Sequence, residues 1–159
     1  MKALVFSDSH SSYKKIKEAI SLQKTPFDAI IFLGDGVSDI ERIKGEYPNT
    51  LFYVVRGNCD FFASEFPDEL LICLEGVSVF ITHGHKYGAK SGYARLLYRA
   101  RELDADAVFF GHTHCPLDSA VEIQGKSIRI FNPGSVGSGS FGVVNISGNV
   151  MVTSHGKLL

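Results

Sequence analysis

At 159 residues, with 45% hydrophobic and 21% charged residues, the chain has the size and balance of one globular domain, expected to span 1–159 and to bury its own core. A formal net charge of -1 excludes a global nucleic-acid footprint and gives no signature of an anionic membrane surface. Three cysteines without Cys-x-x-Cys spacing exclude a disulfide framework and fit a reducing compartment, so the expected location is the cytoplasm.

Residues 2–7 form an apolar run that reads as a buried strand passing straight into Ser7-Asp8, without the cleavage site of a leader. Tyr13, Ile16, Ala19, Ile20 and Gln23 follow helical spacing, with Ser11 or Ser12 as candidate N-cap. Ala29–Leu33 is a second buried strand, 37–45 a short helix, and Leu51–Val55 a third strand. This β-α-β-α-β order implies parallel strands with right-handed crossovers. Glu69–Leu74 and Val77–Thr82 read as strands joined by a turn at Glu75-Gly76. Tyr93, Leu96, Leu97, Ala100 and Leu103 mark an amphipathic helix within 91–103, and Ala107–Phe110 a further buried strand. From Leu117 onward come short strands with turns at 124–126 and 147–149. No apolar run is long enough to span a bilayer. An α/β class with two sheets flanked by helices accommodates both halves.

Polar residues of metal-ligand type follow five of these strands. They are Asp8-Ser9-His10, Gly34-Asp35, Gly57-Asn58-Cys59-Asp60, His83-Gly84-His85 and Gly111-His112-Thr113-His114. Ligands of open α/β sheets collect outside the carboxyl ends of strands, so the five clusters are placed to converge on one rim. Each alone is a weak signal, since Gly-Asp after a strand is more often a turn or cap. Together they take in every histidine of the six except His155. Two neighbouring cations repel, so an anionic group is needed between them, and Asp35 is the best candidate bridge. Imidazoles fill the flanks with little added charge, and Asn58 offers a neutral carbonyl oxygen. Such mixed ligation suits Mn, Fe, Zn, Co or Ni, and the glycines at 34, 57, 84 and 111 would allow tight turns beneath the ligands.

The series Asp-x-His, Gly-Asp, Gly-Asn-x-Asp, His and Gly-His-x-His resembles the calcineurin-like metallophosphoesterase superfamily. The short length, the variant Gly57-Asn58-Cys59-Asp60 and Asn132-Pro133-Gly134-Ser135 resemble its small bacterial and archaeal phosphodiesterase branch, which shares the fold of the retromer subunit. The match runs from Asp8 to about Ser135. The resemblance implies a four-layer α-β-β-α sandwich with two mixed sheets. It implies two divalent metal ions, manganese first among the candidates. One would be held by Asp8, His10, Asp35 and His114, and the other by Asp35, Asn58, His83 and His112, with Asp35 bridging. It further implies in-line attack by a metal-bridging hydroxide on a small phosphodiester. Many members carry His where this chain has Cys59, at a position assigned to protonating the leaving group or holding phosphate. A thiol, with a free pKa of about 8.5, matches proton delivery less well, so His85 joins Cys59, Asp35 and Asn58 among the candidate catalytic residues.

Gly84–Ser91 nearly spells a phosphate-binding loop, but Ala89 replaces its second glycine, and that reading leaves His83 and His85 unexplained. Arg56 is expected to pair with a neighbouring Asp, and Arg95, Arg99 and Arg101 to form a solvated helix face. Asp39 and Asp60 are candidates either to orient ligands or to cap helices. Cys73 and Cys115 are expected to be packing residues, and His155 to lie at the surface. The alternatives in function are a phosphomonoesterase or nuclease of the same superfamily, or a non-catalytic scaffold with a degraded site. All seven expected ligand positions carry competent residues, which favours an enzyme. An exposed sheet edge or helix could support a homodimer, although no residue pattern demands one.

Overall fold

The computed structural model describes residues 1–159. Two five-stranded mixed sheets pack face to face. The first is built from β1 (Lys2–Phe6), β2 (Ala29–Phe32), β3 (Leu51–Val54), β9 (Ser140–Ser147) and β10 (Val150–Lys157), in the order β10-β9-β1-β2-β3. The second contains β4 (Glu69–Leu74), β5 (Val77–Thr82), β6 (Ala107–Phe109), β7 (Leu117–Ile123) and β8 (Lys126–Asn132), in the order β4-β5-β6-β8-β7. In the first sheet β1, β2 and β3 run parallel, with Leu4 beside Ile30 and Ile30 beside Phe52. In the second β5, β6 and β8 run parallel. Antiparallel hairpin strands complete both sheets.

The period of two along each strand decides which layer a side chain joins. Ala3, Val5, Ala29, Ile31 and Leu33 meet Val79, Ile81, Ala107 and Phe109 between the sheets. Their neighbours Leu4, Phe6, Ile30 and Phe32 face outward onto Ile16, Ala19 and Ile20 of α1 (Tyr13–Ser21) and Ile40 and Ile43 of α2 (Val37–Glu46). On the far side Phe80, Val108 and Phe110 pack against Leu96, Leu97 and Ala100 of α3 (Ala94–Glu102). These three cores produce the helix–sheet–sheet–helix layering that the resemblance implied. No helix is long and apolar enough to cross a membrane.

Local departures from the sequence reading have physical causes. The helix expected within 91–103 begins only at Ala94, because Gly88 and Gly92 take φ of 64° and 137° and break the preceding chain into short 3-10 turns. Those turns occupy Gly84–Ser91 in place of a phosphate cradle, and Ala89 is buried in the core under α3. Ser12 stands at the start of α1, but its side chain makes no capping bond. Cys73 and Cys115 are exposed rather than packed. Cys73 falls on the outward phase of β4, an edge strand, and Cys115 lies in the loop after His114. His155 is exposed as expected, yet its ring stacks on Phe131 at 4.9 Å and its Nε2 lies 2.8 Å from the Asn132 carbonyl oxygen.

Candidate metal centre

The carboxyl ends of β1, β2, β3, β5 and β6 open onto one rim, and there the five polar clusters meet. Ligand atoms of Asp8, His10 and His114 lie within 4.8 Å of one another, as do those of Asp8, Asp35 and His83. His114 Nε2 is 3.1 Å from Asp8 Oδ1 and 3.3 Å from His10 Nε2. His83 Nε2 is 3.4 Å from Asp35 Oδ2, and His10 Nε2 is 3.9 Å from the same oxygen. The His112 ring stands 5.1 Å from that of His83, and the His85 ring 5.4 Å. Asn58 is exposed on the rim, its amide nitrogen 3.4 Å from Cys59 Sγ. A third group of His10, Asp35 and Cys59 brings the thiol closer to the ligands than its expected leaving-group role required.

Each inner ligand is held on its far side and left free on the near side. Asp8 Oδ2 accepts hydrogen bonds from Ser7 Oγ at 2.5 Å and the His112 amide at 3.0 Å, while Oδ1, fully buried, makes no aligned hydrogen bond and has His114 Nε2 as its neighbour. His83 Nδ1 donates to the Leu33 carbonyl at 2.7 Å, which leaves Nε2 buried with no aligned hydrogen bond and the Asp35 carboxylate as its neighbour. Asp35 Oδ1 accepts from the Cys59 amide at 2.7 Å, so only Oδ2 faces the histidines. Buried polar atoms without partners are costly, and these orphans point at one another across too wide a gap for hydrogen bonding. A divalent cation would satisfy both, and the carboxylate–imidazole donor set fits manganese, zinc or a similar ion.

The electrostatics agree. Burial opposes a charged Asp35, but hydrogen bonding and charge from His83, with help from Cys59, hold its carboxyl well below the usual range. Burial likewise opposes a charged His83, and Asp35 and Asp8 outweigh it and raise its pKa, so the spot attracts positive charge. His112 is pushed down to about 4, first by burial and then by His83, which suits a neutral metal-ligating imidazole. Burial, then His83 and Lys86, push His85 down as well, and its Nδ1 is buried without a partner. Burial and Asp35 push the Cys59 thiol up.

Gly34 and Gly84 form turns as expected, with φ of 95° and 100°, but Gly57 and Gly111 have a different job. At Gly57 a Cβ would lie 2.1 Å from Asp35 Oδ1, and at Gly111 1.8 Å from Ser7 Oγ and 2.8 Å from Asp8 Oδ2. Neither takes a positive φ, so close approach of the Asp35 carboxylate and of Ser7 with Asp8, rather than turn formation, demands them. Asp60 acts as an anchor: its two oxygens accept from the amides of Asp35, Gly36, Val37 and Gly57 at 2.8–3.0 Å. It thereby caps α2 and binds the second cluster to the third. Asp39 accepts from Ser9 Oγ at 2.7 Å. Ser7, Ser9 and Ser135, which donates to the Asp8 carbonyl at 2.8 Å, support the ligands without any signal in the sequence beyond their proximity to the motifs. Arg56 pairs with Asp68 at 2.9 Å, as expected, and Arg99 and Arg101 pair with acidic neighbours on the protein surface.

Against known proteins, the calcineurin-like phosphoesterase superfamily domain matches residues 1–154. The chain therefore belongs to the calcineurin-like phosphoesterase superfamily and is a metallophosphoesterase. It is 36% identical over 137 residues to the probable metallophosphoesterase YsnB of Bacillus subtilis, covering 86% of this chain and 75% of that one. It is 37% identical over 92 residues to the phosphodiesterase YfcE of Escherichia coli, covering 52% of this chain and 42% of that one. A conserved uncharacterised protein of Streptococcus pneumoniae, a predicted phosphoesterase, superposes with a TM-score of 0.77 at 26% identity, over 98% of this chain and 88% of that one. Vps29 of Entamoeba histolytica, solved with zinc, shares the fold with a TM-score of 0.74 at 19% identity, over 99% of each chain.

Proposed function

We propose that this chain is a metal-dependent phosphodiesterase that hydrolyses a small phosphodiester at a two-metal centre. The observation that carries this reading is the pair of buried, unpartnered atoms, Asp8 Oδ1 and His83 Nε2, converging with Asp35, His10 and His114 on one spot. Asp8, His10, Asp35 and His114 would hold one ion, and Asp35, Asn58, His83 and His112 the other. Manganese is the first candidate, ahead of zinc, iron, nickel or cobalt. When bound, paired cations polarise phosphoryl oxygens and lower the pKa of water. The chain's own part is positioning. The Cys59 amide fixes Asp35, Ser7 and the His112 amide fix Asp8, and the Leu33 carbonyl selects the tautomer of His83. His85 and Cys59 would border the space where a leaving oxygen departs, and His85, held neutral, would donate its ring N–H to that oxygen. Similarity to YfcE supports a diester over a monoester substrate. The neutral overall charge argues against a nuclease, which needs a long basic groove. The free thiols suit a cytoplasmic setting.

The test compares hydrolysis of bis-p-nitrophenyl phosphate and p-nitrophenyl phosphate by chelated protein reloaded with manganese, beside Asp35→Asn. Preference for the diester, dependence on metal, and loss in the variant are expected. No turnover with manganese, zinc, nickel or cobalt by folded protein would shift the reading to the scaffold function.

A further inference from the structure

We infer that Phe61 and Phe62 form a specificity subsite for a flat, uncharged or amino-bearing aromatic group on the substrate, an inference that rests on the phosphodiesterase reading. These two side chains are 80% and 98% exposed, the most exposed phenylalanines in the chain. Solvent-facing aromatic pairs are uncommon unless they meet a ligand or partner. Their exposure is not that of a loose loop. Asp60 is clasped to four backbone amides immediately before them, and Ala63 is buried immediately after. The Ala63 amide donates to the Asp60 carbonyl at 3.2 Å, and the Phe66 amide to the Ala63 carbonyl at 3.1 Å. The backbone thus bends inward on both sides and holds the two rings out.

What they face identifies the occupant. Phe61 and Phe62 line a cavity of about 210 Å³ together with Val37, Glu41, Ala63 and Glu65. Ser38, Cys59 and Asp60 line that cavity and also the adjoining one that contains His10 and Asp35. The aromatic pocket therefore adjoins the metal centre across these three residues. A group in it would be attached to the phosphorus bound next door. Its rim is acidic: Glu41 and Glu65 repel further phosphates and accept hydrogen bonds from amino groups. Two projecting aromatic rings with carboxylates beside them suit a nucleobase or similar ring, and stacking on aromatic side chains tolerates any such ring.

The experiment measures binding, so that it stands apart from turnover. Manganese-loaded protein is titrated calorimetrically with adenosine 5′-monophosphate and with ribose 5-phosphate, which differ only in the base. The wild type is expected to bind the nucleotide roughly 5- to 100-fold more tightly, the range of one base stacked on an aromatic side chain. Phe61→Ala/Phe62→Ala is expected to erase that difference; because both side chains are exposed, the fold survives the change. Equal affinities in the wild type, or an undiminished base preference in the double variant, would overturn the subsite. A base preference lost in the variant would support it even if diesters are not turned over, in which case the phosphodiesterase reading alone fails. Sedimentation of both proteins covers the rival occupant: a dimer that becomes monomeric in the variant, with base preference intact, would assign the two rings to a second copy of the chain.

Discussion

Asp60→Asn tests whether the outer frame holds the metal ligands in place. Asp60 Oδ1 accepts from the Gly36 and Val37 amides at 2.8 and 3.0 Å, and Oδ2 from the Asp35 and Gly57 amides at 2.8 Å each. Asparagine keeps one oxygen and turns an NH2 group toward two amides that can only donate. A hydrogen bond to a charged group contributes roughly 1.5–3 kcal/mol, so losing two costs about 3–6 kcal/mol gross. Asp60 is half-buried, and water recovers part of that, which leaves about 2–4 kcal/mol. The negative charge at the start of α2, worth roughly 0.3–1 kcal/mol, disappears as well. At about 2–4 °C per kcal/mol for a chain of this size, melting should fall by about 5–20 °C. Urea unfolding of the chelated protein measures the stability, and calorimetric titration with manganese measures the site. Affinity should fall in parallel, because the Asp35 amide and Gly57, which abuts the Asp35 carboxylate, are both released. A loss below about 1 kcal/mol, with manganese affinity unchanged, would refute the view that this carboxylate orients Asp35.

Gly57→Ala should strip the protein of metal and activity while lowering stability by about 1–3 kcal/mol, since the new methyl would strike Asp35 Oδ1 and the Asp35 backbone nitrogen. Metal content by elemental analysis and a thermal melt check this, and full occupancy would contradict the close-approach argument. Asp68 predicts an acid-side effect: hydrogen bonds from Arg56 and Lys86 hold its pKa below the ordinary value of 3.8. A depressed carboxyl contributes stability above that value and loses it as pH falls toward the folded-state pKa. Asp68→Asn should therefore cost stability at neutral pH and flatten the decline below about pH 4, as read by denaturant midpoints across pH. A variant with the same acid slope as the wild type would show that the ion pairs are idle.

Much of the fold was legible because burial writes a pattern into the chain. Ala3, Leu4, Val5 and Phe6 are buried on both faces of their sheet, so such strands stand out as continuous apolar runs, although the sequence alone does not say which core each residue joins. The order of the sheets was less accessible. That β9 returns to lie beside β1 depends on pairing between residues more than 100 positions apart, such as Lys2 with Asn145, for which local pattern carries no trace. Cys73 shows the limit on a smaller scale. It lies in an apolar run, yet β4 is an edge strand with one face open, so a residue expected to pack is exposed. At the centre, the ligand types were visible because metal binding restricts chemistry to carboxylate, imidazole and amide. The exposed pair Phe61-Phe62 gave no signal, because two phenylalanines in a sequence read as core.

The frame around the ligands was hidden for a deeper reason. Asp8, His10, Asp35, His112 and His114 all have positive φ, between 43° and 66°. Beyond these five, the non-glycine residues in that region are Ser11, which follows His10, and Glu75, Asp104, Gln124 and Asn149, in turns where asparagine and aspartate tolerate it better than most. A left-handed residue costs of order 1–3 kcal/mol and persists only where its surroundings over-determine it. Here they do: the Asp8 amide is bonded to the Gly34 carbonyl, the His10 amide to the Asp35 carbonyl, and the His112 amide to the Asp8 carboxylate. His10 and His112 are thus pinned by the backbone or carboxylate of another member of the group, and Asp8 by the residue that precedes Asp35. The clusters hold one another in a conformation that none would adopt alone, with Asp8 Oδ1 and His83 Nε2 aimed at the same spot. A centre assembled in this way has little reorganisation left to do on binding metal, which is what preorganised catalysis requires.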